Sequence, residues 1–183
     1  MQTFSGLGLI SKHLRPTAAR IAEDGLDATP KRMNTAQIGR CGELLVQYRL
    51  LALGIESAPM STDAGVDLVA YSPHLAQAIT IQIKTNLGAK HAGGGKGKAA
   101  LDWWVPESVP ASLVALVDLS SERVWLLRRE EFADHAQQRS SGRLHLYMYT
   151  DPRAKPRLKG RLMHSYEFER FTISNRASEL FGI

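Results

Sequence analysis

The spacing of apolar positions changes period along the chain, and each change marks a predicted element. Between residues 34 and 53, Ile38, Cys41, Leu45, Tyr48 and Ala52 recur at helical spacing, and Leu44, Val46 and Leu51 widen the apolar surface. Asn34 is a good N-cap, Gln37 three residues later completes a capping-box pattern, and Gly54 suits the position just past the C-terminus. With apolar residues on most sides, this helix is expected to be largely buried. Arg40, Glu43 and Gln47 fall on one polar side. Gly39 and Gly42 each weaken a helix by about 1 kcal/mol relative to Ala, so they point to close approach of a backbone or a ligand.

After the helix the period shortens. Residues 55–59 predict a short strand, 63–65 a turn, 66–71 a strand and 78–85 its returning partner, rich in Ile and Thr; Ser72, Pro73 and His74 begin the connection. In a strand, residues i and i+2 share a face. Gln82 and Lys84 therefore point one way, and Ile81 and Ile83 point the other way into a core. Asp67 interrupts the apolar run of Val66, Leu68 and Val69. An acid so placed either faces water at a strand end or is paired or metal-bound.

Residues 86–100 form a Gly- and Lys-rich loop without an acid, either a surface loop or a basic flap contacting phosphates. Trp103 and Trp104 follow. Adjacent rings place one in the core and one at its edge, or stack on bases. Residues 113–119 predict a strongly apolar strand, 120–122 a tight turn, 124–127 the returning strand and 128–138 a helix. Residues 143–149 alternate Leu144, Leu146 and Met148 against His145, Tyr147 and Tyr149, the pattern of a half-exposed strand. A Pro-broken basic loop spans 151–161. Residues 166–181 are expected to be helical, anchored by Phe168, Phe171 and Leu180. Residues 1–33 predict a helical extension, with Pro16 opening a short helix that Gly25 stops, ahead of a domain over 34–183.

Composition narrows the class. A chain of 183 residues fits one domain with an extension, and 44% hydrophobic with 22% charged residues is ordinary for a soluble globular protein. The net charge of +5 leans toward an anionic partner, nucleic acid first. Lys90, Lys96 and Lys98 in one loop and Arg153, Lys155 and Arg157 in the other are candidate phosphate contacts, against the plainer alternative of solvated charge runs. Cys41 is the single cysteine, which excludes an intrachain disulfide framework and a cysteine zinc site. No apolar run has the length of a membrane span, and the N-terminus lacks a signal-peptide pattern, so no membrane association and a cytoplasmic location are expected.

An acid, an amide oxygen and an ammonium on neighbouring strands can hold a divalent cation and a water. The ordered set Gly39-x-x-Gly42-Glu43 on the helix, Gly65-Val66-Asp67-Leu68-Val69 on the next strand and Ile81-Gln82-Ile83-Lys84-Thr85 after it resembles the PD-(D/E)XK nuclease superfamily, the restriction-endonuclease-like fold. It looks most like the branch of archaeal-type Holliday-junction resolvases and some homing endonucleases. The resemblance covers residues 34–86 well and the later elements loosely. It implies an α/β (mixed α+β) fold, a central mixed β-sheet flanked by helices with an αβββαβ core.

It also implies a Mg²⁺- or Mn²⁺-dependent endonuclease acting on DNA. Asp67 would be the central metal ligand, Gln82 would supply an oxygen where Glu or Asp is usual, the Ile83 carbonyl would add a backbone ligand, and Glu43 would reach in from the helix. Lys84 would orient or activate the attacking water, and Thr85 would contact the phosphate. On the residues alone, Glu43 could instead form a solvated pair with Arg40. Gln82 lacks the charge of a carboxylate, which leaves two other classes open: an inactive DNA-binding relative and a protein-interaction domain. A homodimer would suit a two-strand cutter.

Overall fold

The computed structural model describes residues 33–183 apart from 63, 92–96, 157 and 159. The predicted extension over 1–33, except Met33, lies outside the described residues, as do Lys96 and Arg157. The fold is mixed α/β. Helix α1 (Thr35–Leu51) is followed by β1 (Glu56–Pro59), β2 (Leu68–Tyr71) and β3 (Ile79–Asn86). Then come β4 (Lys90–His91), β5 (Ala99–Pro106), β6 (Leu113–Asp118) and β7 (Arg123–Arg128). Helix α2 (Arg129–His135), β8 (Gln138–Ser140), β9 (Arg143–Tyr149), a 3-10 helix (Ser165–Phe171) and α3 (Ile173–Phe181) complete the chain.

Helix α1 starts where its caps require. Asn34 accepts the Gln37 N–H and Gln37 accepts the Asn34 N–H, both at 2.9 Å. It ends with the Ile55 N–H donating to the Leu50 carbonyl and the Gly54 N–H to the Leu51 carbonyl, the paired bonds of a Schellman ending. Burial is narrower than the apolar pattern predicts. Gly42, Val46 and Leu50 form the buried stripe, while Leu44, Tyr48 and Leu51 are 50%, 63% and 64% exposed. The expectation of a largely buried helix is therefore corrected: one side packs on the sheet and a second apolar row faces outward.

The first sheet runs β1-β2-β3-β6-β7, with β3 parallel to β6 and the other neighbours antiparallel. Both of its faces are covered. Ile81 and Ile83 of β3, with Leu113, Ala115 and Val117 of β6, join Val46 and Leu50 of α1 and Ala177 and Phe181 of α3 in one core. Val114 and Leu116 face the other way, into a second core with Trp103, Trp125, Phe132 and Phe168. Every residue of β6 is buried, which explains its unbroken apolar sequence.

That second core is closed by a second sheet, ordered β4-β5-β9-β8. Between the parallel strands β3 and β6 the described chain forms β4 and β5. Strand β5 was not among the predicted elements. Helix α2 is also shorter than predicted. It stops at His135, and the Gln137 side chain pairs with the Tyr147 backbone, donating to its carbonyl at 3.0 Å and accepting its N–H at 2.8 Å. An amide side chain there does the work of a strand neighbour.

Two stability predictions follow from this packing. A Cβ on Gly42 would lie 1.9 Å from Thr85 Oγ1, whereas a Cβ on Gly39 would meet nothing within 4 Å. Gly42→Ala should lower stability by about 1–3 kcal/mol through overpacking, and Gly39→Ala should raise it by up to ~1 kcal/mol, as measured by urea unfolding.

Glu167 accepts the N–H groups of Met163 and His164, each at 2.7 Å, fastening the start of the 3-10 helix. Burial would raise its pKa, but these donors and the His164 ring outweigh burial and hold its carboxyl below the ordinary value of 4.5. Its stabilisation is therefore full above that value and is lost as pH falls through the lowered one. Glu167→Gln should destabilise by about 1 kcal/mol at neutral pH, and the gap to wild type should narrow in acid unfolding curves.

Candidate metal centre at the β2–β3 fork

The site begins where a ladder stops. Strands β2 and β3 pair as Leu68↔Ile81, Val69↔Thr80 and Ala70↔Ile79, and Asp67 extends the pairing by donating its N–H to the Ile81 carbonyl at 2.9 Å. Beyond that point the chain before β2 turns away through Gly65, and β3 continues alone on that side. The Asp67 carboxylate takes over: its Oδ2 accepts the Ile83 N–H at 2.5 Å. A side chain thus satisfies a backbone donor that would otherwise lie unpaired near the core. One N–H occupies one of roughly four lone-pair positions on a carboxylate, so this bond does not exhaust its capacity as an acceptor.

Gln82 and Lys84 share a face of β3, as predicted, in register with Val114 and Leu116 of β6. Gln82 is 3% exposed, and its Oε1 is buried without a hydrogen-bond partner. A Cβ built on Gly65 would lie 3.8 Å from Gln82 Nε2, so the amide sits against the turn that leads into Asp67. Lys84 is half-buried one step further along the strand. Asp67 and Ile83 are thus joined by a hydrogen bond, and Gln82 and Lys84 flank Ile83 on β3. An orphaned buried amide oxygen is costly, by about 1–3 kcal/mol, and calls for an explanation.

Glu43 approaches from the helix. Gly42 beside it packs on Thr85, and Gln47, one turn on, donates to the Ser57 carbonyl of β1 at 3.3 Å. That places Glu43 on the β1 side of α1, level with the end of β3. Its carboxylate pairs with Arg40 at 2.7 Å, with the two side chains 28% and 51% exposed. The sequence-level alternative of an Arg40–Glu43 pair is thus realised. Among the described residues no three His, Cys, Asp or Glu side chains form a group able to hold a metal. A centre here would depend on the Gln82 amide and backbone oxygens beside the two acids.

The other predicted site residues lie apart from the fork. Thr85 Oγ1 is buried beneath α1 without a partner. Lys90 is exposed on β4. Lys98 donates to the Lys155 carbonyl and sits 5.0 Å from the Tyr149 ring, so the two basic loops meet. Arg153 is exposed and pairs with Asp151 at 3.1 Å. Trp103 is buried at 2% exposure, and Trp104 lies at the core's edge, stacked on His145 at 4.2 Å. No helix among the described residues is long and apolar enough to cross a membrane. Sequence reasoning missed the row of aromatic side chains that β9 shares with β5.

No protein-family model matches the chain, and no curated protein matches it. Among solved structures, it is similar to one described as the structure of a bacterial homing endonuclease, I-Ssp6803I. Identity is 16%, the match covers 68% of this chain and 86% of that chain, and the TM-score is 0.45.

Proposed function

We propose that the protein is a Mg²⁺-dependent endonuclease that hydrolyses DNA phosphodiester bonds at the β2–β3 fork. The observation that carries this reading is the buried, unpartnered Gln82 Oε1 on the residue next to Ile83, whose N–H the Asp67 carboxylate accepts. Hard cations prefer oxygen ligands, and the Gln82 amide oxygen, the Asp67 carboxylate, the Ile83 carbonyl and the Glu43 carboxylate form such a set. When bound, the cation supplies Lewis-acid stabilisation of charge developing on the phosphate and acidifies a coordinated water.

The residues have distinct tasks. Asp67 is oriented by the Ile83 N–H, so its carboxylate is pre-set before any ligand arrives. Lys84, on the Gln82 face, orients the attacking water and offsets negative charge on the phosphate. Glu43 leaves Arg40 to join the site, which costs little, because an exposed pair is worth about 0–1 kcal/mol. Gln82 contributes an oxygen without a charge, so the centre carries two carboxylates and binds its cation more weakly than a three-acid version.

Cleavage tests the reading directly. Supercoiled, linear and four-way-junction DNA should be cut in Mg²⁺ or Mn²⁺ and not in EDTA. Asp67→Ala and Lys84→Ala should each slow cutting by about 100-fold or more. Wild type that leaves every substrate intact sinks the enzyme; salt-sensitive DNA binding without cutting would select the inactive relative instead.

A second experiment reads the metal without activity. Gln82→Met removes the orphaned oxygen, so in EDTA it should melt higher than wild type, by about 1 kcal/mol of stability. Adding Mn²⁺ should raise the wild-type melting temperature more than that of the variant. Equal shifts in both proteins would remove Gln82 from the metal site.

A further inference from the structure

The outer face of the second sheet carries chemistry that the fork does not use. Strand pairing places Ala100, Asp102 and Trp104 of β5 opposite Tyr149, Tyr147 and His145 of β9. Their neighbours along each strand, Leu101, Trp103, Leu146 and Met148, point inward to the second core. The outward side chains form a continuous row. Trp104 stacks on His145 at 4.2 Å with 7° between planes, His145 lies 5.5 Å from Tyr147, and Tyr147 lies 5.6 Å from Tyr149. Cations close both ends, with Arg143 6.0 Å from the Trp104 ring and Lys98 5.0 Å from the Tyr149 ring.

A concavity of about 300 Å³ opens on this row, lined among others by Lys90, Lys98, Asp102, His145, Tyr147 and Tyr149. Among the described residues its one lining acid is Asp102, whose carboxylate lies 3.4 Å from His145 Nε2. His145, helped by Lys90, holds that carboxyl below the usual range against burial. The other ring nitrogen of His145 meets the Gln138 Oε1 at 3.3 Å. The ring lies stacked beneath Trp104. The Lys98 ammonium rests on the Lys155 carbonyl, which brings Lys155 to the rim.

We infer that this face binds an unpaired DNA strand, its bases stacking on Trp104 and Tyr147 and its phosphates lying on Lys90, Lys98 and Arg143. The inference rests on the DNA reading of the fork and assigns the single-stranded part of that substrate to a separate surface. Charge and shape together select this occupant. An apolar peptide would leave the cations unmatched, and a free anion would not use the rings. Duplex DNA keeps its base faces stacked inside, whereas an unpaired base offers a π-face to every ring it reaches.

Fluorescence anisotropy with labelled oligo(dT), oligo(rU) and duplex DNA, all in EDTA, separates the outcomes. Oligo(dT) should bind in a salt-sensitive manner. Tyr147→Ala and Trp104→Ala should each weaken it by about tenfold or more, while Tyr147→Phe and Trp104→Phe retain it. Lys90→Glu, at an exposed position, should weaken binding and flatten the salt dependence without disturbing the fold. Oligo(dT) affinity unchanged in all of these variants overturns the inference, as does equal loss of duplex binding in the aromatic variants or binding of oligo(rU) alone. Metal-dependent cutting without oligo(dT) binding sinks the surface and spares the fork. Oligo(dT) binding lost in the aromatic variants, with no cutting by wild type, sinks the nuclease and spares the surface.

Discussion

A strand buried on both faces must satisfy every backbone group from its neighbours in the sheet, and β3 loses one neighbour halfway along. On the β6 side its pairing runs from Ile81 to Asn86; on the β2 side it stops at Ile81. The Ile83 N–H then depends on a side chain, and Asp67 supplies it. Much else at this end of the molecule follows from that substitution. The turn at Gly65 has to leave the sheet for the fork to open, and Gly42 has to lack a side chain for α1 to reach Thr85 at the same level. The carboxylate that completes the backbone accounting is also the one the proposed function draws on.

Two polar atoms of β3 are buried, and burial sharpens their cost. Gln82 Oε1 and Thr85 Oγ1 are both buried without partners, on opposite faces of one strand. Thr85 is explained by packing, because its methyl and hydroxyl fill the space that Gly42 leaves open. Gln82 has no such account, since a Met or Leu of similar volume would fill the same space without an orphaned oxygen. Stability alone disfavours it. The role proposed for Gln82 would give this oxygen the partner that packing does not.

Much of this organisation is legible in the sequence, and the remainder is hidden for physical reasons. The α1 caps, the β2–β3 hairpin, the opposed faces of Ile81 and Gln82 and the buried β6 all follow from local pattern. Strand β5 does not. Its alternation of Leu101, Trp103 and Val105 against Asp102 and Trp104 is short, follows a Gly-rich tract and is obscured by two adjacent Trp residues. The end of α2 escapes because a Gln137 side chain, not a backbone, continues the pairing. The outward row of Leu44, Tyr48 and Leu51 is as apolar as the buried stripe, so periodicity cannot say which row meets the sheet. At the site, residue identity foretells the Arg40–Glu43 pair but not the Asp67–Ile83 bond. Nor does it bring Lys98 to Lys155, residues far apart in sequence.

The fork and the aromatic face are neighbours through one short piece of chain. After Lys84, β3 continues to Asn86, whose amide donates to the Asp102 carbonyl of β5 at 2.7 Å. Asp102 presents its side chain on the outer face of the second sheet, and the chain beyond Asn86 passes directly into β4 and Lys90. A strand held along Lys90 and Tyr147 is therefore anchored to the same β3 that carries Gln82 and Lys84. β3 and β6 share a ladder, β5 and β6 share the second core, and the Asn86 amide links β3 to β5. Binding on that face would act by positioning nucleic acid relative to the fork.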